Sequence, residues 1–129
     1  MQKIEIDGNK FSNLNEFYDE IELKLTNGLD WKIGRNLDAL NDVLDGGFGV
    51  HEINENIELI WLNSGKSKSD LGWNETILYL KEKLKKCHPT NKPSVKSDLK
   101  DAESRKGQTL YEIITELIND KPNTKLTEN

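Results

Sequence analysis

Apolar residues recur along the chain at two spacings, one of two residues and one of three to four. Residues 3–7 alternate between apolar and polar and run into an Asp-Gly pair, which predicts a short strand followed by a turn. Residues 56–62 are apolar almost throughout, a pattern typical of a strand in the middle of a sheet. Residues 124–127 leave two alternatives open, a poor edge strand or a frayed tail.

The wider spacing predicts five helices. They are expected over residues 14–24, 37–44, 75–86, 91–106 and 110–118. Asn13 and Asn36 stand where a side chain caps the first turn of the first two helices. The pair Asn27-Gly28 ends the first helix and the glycines of residues 46–49 end the second, because glycine adopts the left-handed backbone found at helix ends.

The remaining segments have weaker patterns. Residues 29–34 predict an irregular linker, and the polar residues 63–69 predict a loop. The helix over residues 75–86 is expected to turn four apolar side chains inward, those of Ile77, Leu78, Leu80 and Leu84. The helix over residues 91–106 has a sparse apolar stripe, made of Val95, Leu99 and Ala102, and is expected to pack weakly.

The order of these elements predicts an α/β domain with a small three-stranded, mostly parallel sheet packed with helices. With 129 residues, the chain has the length of a single domain. No apolar stretch approaches 18 residues, so no membrane span is expected. The first residues lack the layout of a secretory signal, and Cys87 is the only cysteine, so no intrachain disulfide can form. Both features favour a cytoplasmic location.

The net charge of −5 is unevenly distributed between the two halves of the chain. Residues 1–65 contain 13 acidic and 5 basic side chains, whereas residues 66–129 contain 10 acidic and 13 basic ones. An acidic half argues against nucleic acid as the ligand, because phosphate binding needs clustered cations. It favours a basic protein partner, since complementary charge speeds encounter. The alternative is that the acidic residues only keep the protein soluble.

The helix expected over residues 37–44 has an acidic outer face. Asp38, Asn41, Asp42 and Asp45 follow one another at helical spacing, opposite the leucines. Like charges four residues apart destabilise a helix by roughly a few tenths of a kcal/mol. This cost suggests an external cation, although charged outer faces are also the normal condition of amphipathic helices. Glu112, Glu116 and Asp120 repeat the pattern in the last helix, and the two acidic faces would form one surface if they converged.

Three classes of function fit these features differently. An enzyme would use Asp38 with Asp42 as an acid/base pair, or Cys87 as a nucleophile beside His88. Two aspartates on one exposed helical turn are a poor acid/base pair, because such chemistry needs carboxylates in different environments. Cys87, His88 and His51 lack a recognisable metal-ligand spacing, so neither a metal nor a cofactor is expected. An inhibitor and a non-catalytic adaptor for another basic protein both use the acidic surface, and Trp31 would serve either as an interface residue or as a packing residue.

At the acidic helix the sequence resembles the barstar family of ribonuclease inhibitors. The resemblance is carried by Gly34, the run Asn36-Leu37-Asp38-Ala39-Leu40, and then Asp42, Leu44 and Gly46. The upstream Ile6-Asp7-Gly8 and the downstream strand and last helix follow in the order that the family has. The resemblance is good over residues 3–62 and looser over 107–120.

The resemblance implies that this helix enters the active site of a basic, barnase-type ribonuclease, with Asp38 and Asp42 as the principal anchors. Asn36 would support the start of the helix, and Gly34 the approach of the preceding loop. Asn41, Asp45 and Trp31 would lie in the same surface, and Glu116 with Asp120 would be secondary acids. The implied protein is a bacterial antitoxin or immunity protein, a monomer when free, which binds no nucleic acid and catalyses nothing.

The sequence departs from the family's pattern at several contact positions. Asn41 stands where the family's type member has Trp, and Lys32-Ile33 stands where it has two Tyr. Because such aromatic residues often select the partner, the cognate ribonuclease is expected to differ from barnase in detail. Residues 64–106 also exceed the type member by roughly two helices, which predicts a family-variant helical insertion within a single domain over residues 1–129. Leu71-Gly72 and Cys87-His88-Pro89 resemble segments of longer family members.

Overall fold

The computed structural model describes residues 1–26, 34–46, 52–53 and 55–129, and within them one sheet is surrounded by helices. The elements are β1 Gln2–Asp7, α1 Leu14–Leu25, α2 Leu37–Asp45, β2 Ile57–Leu62, α3 Ser64–Asp70, α4 Trp73–Lys86, α5 Lys92–Glu103, α6 Leu110–Asn119 and β3 Thr124–Glu128. Two single-turn 3-10 helices, Gly8–Lys10 and Pro89–Asn91, join some of these elements. Three predicted connections, Asn27-Gly28, the linker before Gly34 and the glycines after Gly46, lie outside the described residues.

The sheet has the order β1-β2-β3, and both strand pairs are parallel. In the register, Ile4 lies opposite Leu59, and Leu59 lies opposite Leu126. β2 is therefore central, and its inward residues are at most 1% exposed, as a nearly continuous apolar run predicts. The predicted α/β fold with a three-stranded parallel sheet is confirmed, and residues 124–127 belong to a strand.

Aromatic side chains form the middle of the core. Trp61 of β2 stacks on Phe17 of α1 with 5.6 Å between ring centroids. The same indole ring meets Phe11 edge to face at 6.1 Å and Tyr111 of α6 at 5.1 Å. Each pair of rings at such a separation stabilises the fold by about 0.5–1.5 kcal/mol beyond the contribution of the buried area itself. This cluster fixes α1 and α6 against the sheet, and the adjoining face of α2 is buried in the same core.

Three of the predicted helices, α1, α2 and α6, begin where the sequence predicts, and a side chain caps the first turn of each. The side chains of Asn13 and Asn36 each accept a hydrogen bond of 2.8 Å from the backbone N–H three residues on. At the start of α6, Thr109 and Glu112 satisfy each other's backbone N–H groups in a capping box. α5 is shorter than predicted by three residues at its end, and Val95 and Ala102 are its buried residues, as expected.

Two expectations are wrong. Residues 63–69 do not form a loop, because α3 occupies Ser64–Asp70. This helix has no apolar stripe, and the residues that it buries are Ser64 and Ser67. Leu78 does not face inward but is 58% exposed. The inward position on that turn of α4 belongs to Thr76, whose hydroxyl donates to the Gly72 carbonyl at 2.7 Å and accepts from the Leu110 N–H at 2.7 Å. A polar residue that ties α4 to α6 therefore takes the place expected for a leucine.

Candidate functional site

α2 presents its acidic residues to solvent because its opposite face is buried. Leu40, Val43 and Leu44 are at most 2% exposed and hold the helix against the core. Asp38 and Asp42, one turn apart, are both exposed. Neither carboxylate has a basic partner among the described residues. Within the described part of the chain, the helix therefore carries two unpaired carboxylates on an exposed surface.

Asp45, the third aspartate of α2, already has a partner within the chain. Its carboxylate lies 2.8 Å from the Lys121 ammonium, in an ion pair whose lysine side chain is only 11% exposed. Two residues on, the Asn123 amide donates to the Leu44 carbonyl at 3.4 Å and to the Glu55 carbonyl at 3.0 Å. Lys121 and Asn123 thus hold the C-terminal end of α2, a role that the sequence analysis missed because nothing local links residues so far apart.

The beginning of α2 is held against α1. Arg35 pairs with Asp19 at 2.5 Å and with Glu22 at 3.2 Å, and its guanidinium also donates to the Asn15 carbonyl at 2.8 Å. Gly34 and Asn36 are exposed at this end, and Asn41 is half-buried further along the helix. Trp31 lies outside the described residues. Both ends of the acidic helix are therefore fixed by side chains from other elements.

The acids of α6 are located on a helix that packs beside α2. Glu112 is engaged in the capping box, and Glu116 accepts a hydrogen bond from the Gln108 side chain. Asp120 is exposed at the end of the helix, next to Lys121, which joins the ends of α6 and α2. The structure thus places the acids of both helices on neighbouring elements. Of the three acids of α6, Asp120 is the one whose side chain has neither a hydrogen bond nor an ion pair with the described residues.

A cleft of about 880 Å³ opens beside the first turn of α2, between α1 and α4. Asp38 lies at this cleft, together with Tyr18 of α1 and Leu78 and Tyr79 of α4. Burial raises the pKa of Tyr18, and the nearby Tyr79 hydroxyl adds to the effect while Arg35 opposes it. Burial also raises the pKa of Tyr79, and the negative charge of Asp38 contributes. Tyr79 therefore lies within electrostatic reach of both the Tyr18 hydroxyl and the Asp38 carboxylate.

A scan against protein-family models matches residues 1–93 of the chain to the barstar family, described as barstar (barnase inhibitor). The chain belongs to the barstar family. A search of curated proteins and a search of solved structures gave no match. The matched region includes β1, α1, α2, β2, α3 and α4, and it ends before α6 and β3.

The barstar match covers the two acids that the resemblance predicts as principal anchors and not the two that it predicts as secondary. Asp38 and Asp42 lie within the matched residues, whereas Glu116 and Asp120 lie beyond them. The match also runs through residues 64–93, which include α3 and α4. The interpretation of residues 64–106 as an insertion stays a prediction.

The remaining candidate residues of this barstar-family chain, Cys87 and His88, each have a partner close to them in the sequence. Cys87 donates a weak hydrogen bond to the Leu84 carbonyl at 3.7 Å, and His88 Nδ1 contacts the Thr90 hydroxyl at 2.8 Å. The two side chains thus have separate local partners, and no hydrogen bond joins them. Among the residues described, no group of three or more potential ligands is arranged to hold a metal ion. The same residues contain no helix of the length and apolarity needed to span a membrane.

Proposed function

We propose that this barstar-family chain inhibits a basic ribonuclease by inserting α2 into the enzyme's active site. The observation that carries the proposal is the pair of exposed carboxylates, Asp38 and Asp42, which have no basic partner in the described chain. The family's description as barnase inhibitor supports the class of target. The proposed action is occlusion, without a covalent step, a metal or a cofactor.

In this mechanism Asp42 accepts charge-assisted hydrogen bonds from the arginine and lysine side chains that otherwise hold the RNA phosphate. Asp38, one turn earlier, and the exposed Asp120 of α6 add a negative field that accelerates association with a basic surface. Rigidity favours binding, because a helix fixed at both ends loses little conformational entropy in the complex. Asn36 contributes by capping α2, and Asp45 contributes less because Lys121 already neutralises it.

The remaining predicted contacts belong to the periphery of this interface. Gly34 and Asn41 border the exposed face of α2, Glu116 lies on the neighbouring helix, and Trp31 precedes the described start of the α2 segment. We place the protein in a bacterial cytoplasm, as a monomer that protects the cell from a toxic nuclease, its own or a delivered one.

Titration of the purified protein into a barnase-type ribonuclease tests the proposal, with RNA cleavage measured at low and at physiological salt. We expect stoichiometric inhibition that weakens as salt rises. Asp42→Ala should weaken it by at least about tenfold, since it leaves buried cations of the enzyme unpaired, and Asp38→Ala should weaken it less. Asp98→Ala on α5, which removes an equally exposed aspartate far along the chain, serves as the matched control.

Unchanged inhibition in both α2 variants would contradict the mechanism. Absence of inhibition by the wild-type protein would contradict barnase itself as the target, and the Asn41 departure then makes a related nuclease the next candidate. If basic nucleases as a class were not inhibited, an adaptor that binds another basic protein would replace the inhibitor as the proposed function.

A further inference from the structure

The cleft between α1, α2 and α4 contains a polar group that the fold does not explain. Tyr18 is 5% exposed, and its hydroxyl is buried without a hydrogen-bond partner. An unpaired buried hydroxyl destabilises a protein, so most such groups are satisfied. The Tyr18 side chain lines the cleft, and its hydroxyl is influenced by Tyr79 and Arg35, which line the same cleft. A group from a binding partner could satisfy it.

The charges around this cleft favour a cationic occupant. Arg35 is engaged by Asp19 and Glu22, so it is not available to an anion. By contrast, Asp38 and Glu75, which also line the cleft, form no ion pair with the described residues. One oxygen of Glu75 accepts from the Leu14 N–H, and the other has no hydrogen-bond partner among the residues that the structure describes.

The two lysines at the cleft do not reverse this balance. Lys86 lies 3.8 Å from Glu82, its own neighbour on α4. Lys83 lies over the Tyr79 ring, 5.9 Å from its centroid, and is exposed. A cation therefore lies over the Tyr79 ring, at a separation where attraction between a positive charge and an aromatic ring is favourable.

We propose that the cleft beside α2 receives an arginine side chain of the partner protein, with its stem against Leu78. Its guanidinium would lie between the Tyr79 ring, the Tyr18 hydroxyl and the carboxylates of Asp38 and Glu75. The guanidinium fits because it offers five donors in one plane, stacks on aromatic rings and pairs with carboxylates. Lysine fits less well, because its ammonium is compact and strongly hydrated. Because the Tyr18 hydroxyl is buried in the free protein, side chains that line the cleft must shift to let the guanidinium reach it.

This inference rests on the proposed function, because a basic ribonuclease supplies the arginine. It deepens that function by extending the interface from the outer face of α2 to α4, which bears Glu75, Leu78 and Tyr79. Asp38 belongs to both surfaces, whereas Asp42 does not line the cleft. The two proposals can therefore fail separately.

The first experiment needs no nuclease. N-acetyl-arginine methylamide is titrated into the full-length protein, and nuclear magnetic resonance follows the residues that line the cleft. The titration reaches about 50 mM, so that a dissociation constant in the millimolar range can be measured. We expect saturable shifts at Tyr79 and Leu78, with lysine and norleucine analogues binding several-fold more weakly. Tyr18→Phe and Glu75→Gln, which keep the shapes of the side chains, should each weaken the arginine analogue by about tenfold, the effect of losing a hydrogen bond to a charged group.

The second experiment repeats the ribonuclease titration with the same variants. Tyr18→Phe and Glu75→Gln should weaken inhibition by about tenfold, while Asp98→Ala should not. Binding of the arginine analogue without ribonuclease inhibition would support the cleft and contradict the nuclease proposal. Inhibition that is unaffected by either cleft variant, equal binding of the norleucine analogue, or no shifts at 50 mM would each overturn the arginine site.

Discussion

The three aspartates of α2 differ in their surroundings although the sequence gives them the same spacing. Asp38 and Asp42 are exposed and unpaired in the described chain, whereas Asp45 is bound by Lys121 at 2.8 Å. The periodicity predicts which face of the helix they share, because that depends only on local geometry. It cannot predict the Lys121 pair, because the two residues are 76 positions apart in the chain.

We expect Asp45→Ala to lower the free energy of unfolding by about 1 kcal/mol, because it leaves the largely buried Lys121 without a partner. Urea unfolding of the variant and the wild type measures this change, with Asp98→Ala as the exposed control. In the ribonuclease assay Asp45→Ala should weaken inhibition less than Asp42→Ala. Equal stability of Asp45→Ala and the wild type would show that the pair contributes nothing to the fold.

The buried hydroxyl of Tyr18 makes an opposite prediction. Tyr18→Phe should raise the free energy of unfolding by about 1 kcal/mol, because it removes a polar group that is buried without a partner. Tyr111→Phe is the matched control, since the Tyr111 hydroxyl bonds to Glu128 and its loss should lower stability by about 1 kcal/mol. Urea unfolding distinguishes the signs. A destabilised Tyr18→Phe would mean that the hydroxyl is satisfied in solution.

At the scale of elements, the strands and the capped helices are predictable and α3 is not. β1, β2, α1 and α2 follow from alternation, apolar runs and cap residues, which are all local signals. α3 consists of polar residues and glycine, so its sequence has no apolar stripe. Long-range contacts stabilise it: Lys66 donates to the Phe11 carbonyl at 2.8 Å, and Ser64 donates to the Asn129 carbonyl at 3.0 Å.

Ser67 is the main link between α3 and the core. Its hydroxyl accepts the indole N–H of Trp61 at 2.9 Å, and both groups are buried. The helix approaches β1 so closely that a Cβ on Gly8 would lie 2.5 Å from the Ser67 oxygen. The position of α3 therefore requires a glycine directly after β1, a relation that no local pattern reveals.

Ser67→Ala should lower the free energy of unfolding by about 1–3 kcal/mol, because it leaves the buried indole N–H of Trp61 without an acceptor. Ser69→Ala, on the exposed side of α3, should have little effect or a small stabilising one, since alanine favours helix. Urea unfolding followed by tryptophan fluorescence measures both variants. Equal effects of the two substitutions would contradict the assigned role of Ser67.

For the whole molecule, composition predicts a basic protein partner, and this stays a prediction, but composition does not predict the shape of the surface that would meet the partner. The acidic first half includes Asp38 and Asp42, which are exposed as expected for a protein that binds a basic partner. The cleft beside them depends on how α4 packs against α1 and α2, and the inward residue of that part of α4 is Thr76 rather than Leu78. Sequence periodicity therefore could not predict the cleft.

The tyrosines determine how the stability of the whole fold depends on alkaline pH. Burial raises the pKa of Tyr18, Tyr79 and Tyr111, and the Glu128 hydrogen bond adds to the rise at Tyr111. In the unfolded chain these hydroxyls lose their protons near pH 10. Above that pH the folded state binds more protons than the unfolded state, so the free energy of unfolding falls as pH rises.

We therefore expect the tyrosine contribution to the free energy of unfolding, measured with urea, to be constant below about pH 9. Above pH 10 the free energy of unfolding should decline by up to about 1.4 kcal/mol per pH unit for each tyrosine. Tyr18→Phe should reduce the slope above pH 10 without changing it below pH 9, because it removes one of the three titrating groups. Absorbance of tyrosinate, measured in the same samples, should rise with unfolding rather than before it. If all three tyrosines lost their protons near pH 10 while the protein was still folded, the statement that burial raises their pKa would be wrong.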